Sequence, residues 1–64
     1  MSTKQLQAVW ELCRQGFQVT ADEAAQSWRN GERFDLSDRC QLGRSIQSLI
    51  DQCNWEVEKQ AKLH

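Results

Sequence analysis

A chain of 64 residues with a net charge of −1 and 39% hydrophobic side chains is one small domain at most, and it is too apolar for a disordered tail. A domain of this size buries only about 60% of the surface its unfolded chain exposes, so its core calls for support from a disulfide, a metal or self-association. No apolar run reaches membrane-spanning length, and Met1-Ser2-Thr3-Lys4-Gln5 lacks the apolar core of a secretory signal, so a cytoplasmic protein is expected.

Helix 1 is expected over about residues 3–15. Ser2 with Gln5 three residues later fits a capping box, which satisfies N–H groups of the first turn. Leu6, Val9 and Cys13, flanked by Trp10 and Leu12, form a broad apolar stripe, with Lys4, Gln7, Glu11 and Arg14 opposite. Gly16 stands where a left-handed residue would end the helix. Phe17-Gln18-Val19 reads as a connector, and Thr20 with Glu23 as the cap of helix 2, over about 21–29. Val19 and Ala24 would then form a hydrophobic staple. Ala21, Ala24, Ala25 and Trp28 make the inner face of helix 2, and Asn30-Gly31 stops it.

Phe34 should tuck beneath the element that follows. Asp35, with Asp38 behind it, or Ser37 is placed to cap helix 3, over about 36–62. Leu42, Ile46, Leu49, Ile50, Cys53 and Val57 recur at steps of three and four along it. A helix of that length spans roughly 40 Å. A folded chain of this size has a radius of gyration near ~11 Å. The apolar stripe would therefore overhang its own core, and a second copy of the chain is the expected cover. The fold expected is all-α: two short helices packed on one long amphipathic helix, pairing as a helical homodimer through Leu42, Ile46, Leu49, Ile50, Cys53 and Val57.

Cys13, Cys40 and Cys53 are odd in number and lack CxxC spacing, and the single histidine is His64. They read as reduced thiols used as small hydrophobes, with no metal or cofactor implied. No nucleophile stands with a base at a recognisable spacing and no glycine-rich phosphate loop is present, so an enzyme is not expected.

Three features could carry function. Trp55 projects opposite the stripe, on a face shared with Arg44, Ser48, Asp51, Lys59 and Lys62. A tryptophan among charges suits a protein partner, with Trp55, Arg44, Asp51 and Lys59 as the binding set. The plainer alternative packs Trp55 against helix 1 or helix 2. Arg29, Arg33, Arg39 and Arg44 form the second feature. A helix-turn-helix reading would have Arg39, Gln41, Arg44 and Gln47 contact DNA from the start of helix 3. Against it stand a long connector and a sequence pI of 5.7. The third is Gly43, which inside a helix costs about 1 kcal/mol and would mark a close helix crossing.

From Met1-Ser2-Thr3-Lys4-Gln5-Leu6-Gln7 through Cys53-Asn54-Trp55-Glu56, the chain resembles the small helical accessory proteins of lambda-like phages and their prophages. The resemblance is to short products of the early region between the exonuclease and excisionase genes. It implies an early-expressed regulator that acts on host proteins or on phage development.

Overall fold

Serine and glutamine begin the fold as their spacing requires. The Gln5 N–H donates to Ser2 Oγ at 3.3 Å, and the Ser2 N–H donates to Gln5 Oε1 at 2.9 Å, closing the capping box. The computed structural model describes residues 1–36 and 42–62, and its three helices are α1 (Thr3–Arg14), α2 (Gln18–Arg29) and α3 (Arg44–Lys62). The described residues contain no strand.

Gly16 closes α1 as expected, at φ +91°, in the left-handed region that favours glycine. The Gly16 N–H donates to the Cys13 carbonyl at 3.1 Å and the Phe17 N–H to the Leu12 carbonyl at 2.8 Å, the paired bonds of a Schellman motif. Half-buried Phe17 then opens α2 at once, its carbonyl accepting from the Ala21 N–H at 2.9 Å. Helix α2 therefore starts at Gln18, before the expected cap. Thr20 lies inside the helix and Val19 is exposed, so the staple with Ala24 is not made. The backbone turn through Gly16 had already reversed the chain, which left Thr20 no end to cap. A second Schellman motif at Gly31 (φ +75°) ends α2, with the Glu32 N–H on the Ser27 carbonyl at 2.8 Å.

Helix α3 begins later than its periodicity suggests. Leu36, Leu42 and Gly43 are not helical, and the proposed caps Ser37 and Asp38 lie outside the described residues. Gly43 stands just before the helix, its carbonyl accepting from the Gln47 N–H at 3.0 Å, and no side chain crowds it. The close crossing expected there is absent, because glycine serves α3 better at its edge than in its interior.

At 1.5 Å per residue, α3 is about 28 Å long. The described fold is 35 × 18 × 16 Å with a radius of gyration of 11.0 Å, so the helix fits within its own domain. The stripe that was expected to pair two copies is used inside one. Ile46, Ile50, Cys53 and Val57 are buried in the core, and Leu42 and Leu49 pack half-buried against it. They meet Ala8 and Leu12 of α1, Ala21, Ala24 and Trp28 of α2, and Phe34 of the connector.

Helix α1 turns a different edge inward from the one its bulky side chains mark. Gln5, Ala8 and Leu12 are buried, whereas Leu6, Trp10 and Cys13 are exposed. Two neighbours determine this. Helix α2 packs mainly on α1, and α3 lies along its other side, so the small Ala8 faces the close approach. Helices α1 and α3 run antiparallel: Ser2 Oγ donates to Glu56 Oε2 at 2.8 Å at one end, and Trp10 and Glu11 lie beside Ser45 and Leu49 at the other.

Asn54, buried at 5% exposure, ties α2 and the connector to α3. Its Oδ1 accepts from Trp28 Nε1–H at 2.9 Å and from the Phe34 N–H at 2.8 Å, while its Nδ2–H donates to the Phe34 carbonyl at 2.7 Å. The Trp28 and Phe34 rings meet edge to face with centroids 6.3 Å apart. Outside this clamp, Arg33 bonds both Asp35 (2.9 Å) and Glu58 (3.1 Å) at the surface.

Candidate interaction surface

A 19-residue helix with one buried edge must present the rest of its circumference to water, and α3 presents a tryptophan there. Trp55 is 60% exposed. Lys59, one turn on, holds its Nζ 5.0 Å from the centroid of the Trp55 ring, a cation–π contact. Arg44 and Asp51 are exposed on the same helix, and Asp51 accepts from Gln47 Nε2 at 3.2 Å. The set Trp55, Arg44, Asp51 and Lys59 therefore lies at the surface of a single helix.

The DNA-reading set is described only in part. Arg39 and Gln41 lie outside the described residues, as does Cys40, and of the other two Gln47 is engaged with Asp51. Residues 30–43 separate α2 from α3, so these helices do not make the short-turned pair of a helix-turn-helix. Arg29 is exposed beside the cleft of about 640 Å³ that Ser2, Trp28, Glu56 and Gln60 also line, and Arg33 is committed to Asp35 and Glu58.

Sequence reasoning placed Trp10 in the core, and the structure moves it to the surface at 65% exposure. It repeats the arrangement at Trp55: the Arg14 guanidinium, four residues on, lies 5.6 Å from the Trp10 ring centroid. A tryptophan followed by a basic residue at the fourth position was the available signal, present in both helices. Beside Trp10 runs a groove of about 340 Å³ lined by Gln7, Glu11, Gln15, Ser45, Ile46 and Leu49. Glu11 is fully occupied within α1. Arg14 Nε–H donates to its Oε2 at 3.1 Å and Gln15 Nε2–H to its Oε1 at 3.1 Å, with Arg14 Nη2 also on Oε1. Those bonds, that of Arg14 foremost, hold the Glu11 carboxyl below the usual range.

The two described cysteines differ. Cys13 is an exposed free thiol, whereas burial, with Glu56 nearby, pushes the Cys53 thiol up to about 11 and keeps it protonated and inert at neutral pH. No described helix is long and apolar enough to cross a membrane. Comparison with protein-family models, curated proteins and solved structures finds no match for this chain.

Proposed function

We propose that the chain is a small protein-interaction regulator or adaptor that engages its partner through the outer face of α3, with Trp55 as the anchor and Arg44, Asp51 and Lys59 around it. The observation that supports this reading is the exposure of Trp55. Leaving 60% of an indole in water forgoes the burial that stabilises a small core, and tryptophan is the side chain most enriched at interface hot spots. Lys59 covers one face of the ring and is easily displaced, so the ring stays available to a partner. Action on a host protein, as the resemblance to phage early-region products implies, fits the same surface. Affinity capture from a host-cell lysate with wild type beside Trp55→Ala tests the reading. A partner retained by wild type and lost in the variant supports it; identical capture by both removes Trp55 as the anchor.

A further inference from the structure

Asn30 and Gly31 end α2, and the pair has a chemistry of its own beside its part in the helix stop. An asparagine amide followed by glycine is open to attack by the next backbone nitrogen, because no β-carbon shields that nitrogen. Asn30 is exposed, and a β-carbon at Gly31 would meet no atom, so the fold leaves the pair uncrowded. The chain holds one other asparagine, and it is the opposite case. Asn54 is buried within α3, both ends of its amide are held by Trp28 and Phe34, and the bulky Trp55 follows it.

The fold also holds the nucleophile back. The Gly31 N–H donates to the Trp28 carbonyl at 3.1 Å, the Glu32 N–H donates to the Ser27 carbonyl at 2.8 Å, and Asn30 rests at φ −81° and ψ 0°. Ring closure needs the Gly31 nitrogen to swing into line with the Asn30 side chain. That motion takes ψ away from 0° and breaks the bond to Trp28. The last turn of a helix opens locally at far less cost than the whole domain. Opening of that turn is therefore the gate, and global unfolding is not required.

We infer that Asn30–Gly31 is a self-modification site, at which the Gly31 nitrogen attacks the Asn30 amide when the C-terminal turn of α2 opens, converting Asn30 to isoaspartate and aspartate. The nitrogen forms a bond to Asn30 Cγ, and the amide nitrogen leaves as ammonia with the proton that Gly31 gives up. Water then adds to one carbonyl of the cyclic imide. Breaking the Cγ–N bond yields aspartate, and breaking the bond between the main-chain carbonyl carbon and that nitrogen yields isoaspartate. The net change is one water in and one ammonia out, with no oxidant or reductant.

Either product sets a carboxylate at the negative end of the α2 dipole, where it is unfavourable. Isoaspartate also routes the main chain through the side-chain carbon. This lengthens the path from Trp28 to Phe34, the two residues that Asn54 holds together. The modified chain carries a slackened clamp, and the site acts as a slow timer on the junction between α2 and α3.

The test incubates the full chain in mildly alkaline buffer, folded and in urea, and maps its peptides by mass spectrometry with fragmentation that separates isoaspartate from aspartate. In the folded chain Asn30 should convert while Asn54 stays intact. The folded chain should react about 10-fold more slowly than the unfolded one, a lag set by the opening of one turn. Asn30→Gln should stay unmodified, which assigns the change to Asn30. The converted protein should unfold at lower urea concentration than fresh protein, and Asn30→Asp, which has the charge without the longer backbone, should lose less. Equal rates in the folded and unfolded chains would remove the gate. A folded chain still intact after many half-lives of the unfolded one would remove the site, and a converted protein as stable as the fresh one would remove the timer. Any of these three results overturns the inference.

Discussion

The two junctions between helices are closed by different means. Backbone closes the first. Gly16 takes a positive φ, the Phe17 N–H reaches back to Leu12, and α2 begins on the next residue. A side chain closes the second. Residues 30–43 intervene, and Asn54 reaches from α3 to hold Trp28 and the Phe34 backbone at once. The first closure is local and draws on residues within six positions of one another. The second spans twenty or more positions and exists only when all three elements are assembled. The first junction should therefore tolerate change at modest cost, while the second should behave as one cooperative unit.

The largest effect should come from Asn54→Leu. It strands the Trp28 indole N–H, the Phe34 N–H and the Phe34 carbonyl in a dry interior, at a cost of about 3 kcal/mol. Urea denaturation followed by circular dichroism reads this directly, and a loss under about 1 kcal/mol would show that water takes over the clamp.

The neighbouring Cys53 probes the same interior by pH. Its thiol is raised from 9.0 to about 11 in the fold, so the folded state favours the protonated form. The associated stability is complete below pH 9.0 and is lost as pH rises towards about 11, by on the order of 2 kcal/mol. Cys53→Ala should lower stability at neutral pH and flatten the decline between those values. An equally steep decline in the variant would assign it to other groups.

Gly16→Ala tests the first junction. A β-carbon meets no atom there, so only the left-handed backbone is penalised, at about 1 kcal/mol. Thermal melts should show a loss well below that of Asn54→Leu; a loss equal to it would erase the distinction between the junctions. The smallest effects on stability belong to the outer tryptophans. Trp10→Ala and Trp55→Ala should each shift unfolding by less than about 0.5 kcal/mol, because both rings are largely exposed. A shift above about 1 kcal/mol for either would mean that its ring supports the fold, contrary to an anchor left free for a partner.

Much of the local structure was legible in the residues. The capping box at Ser2 and Gln5, the glycine stops at Gly16 and Gly31, and the inward edge of α3 from Ile46 to Val57 all depend on neighbours within a few positions. Helical geometry set Trp55 opposite the stripe but left open whether helix 1 or helix 2 covers it, and the fold leaves it exposed. Other features were not legible there. Phe17 displaced Thr20 as the start of α2, and the periodicity of Leu42 to Val57 extended upstream of Gly43, after which α3 begins. Most consequentially, the apolar weight of Leu6, Trp10 and Cys13 pointed to the wrong edge of α1.

The sequence by itself determined the three helices of the described residues, where glycine ends two of them, and which edge of the last helix is apolar. These are short-range matters of hydrogen bonding and spacing. Tertiary structure alone decided which edge of α1 is buried, because that depends on how closely α2 and α3 approach Ala8. It decided that Asn54 is a clamp, because the partners of its amide lie on two other segments. It also decided that most of the long stripe is buried within one chain and that Trp10 faces water beside a groove, because α1 and α2 pack over Ile46, Ile50, Cys53 and Val57 while Leu49 stays half-buried.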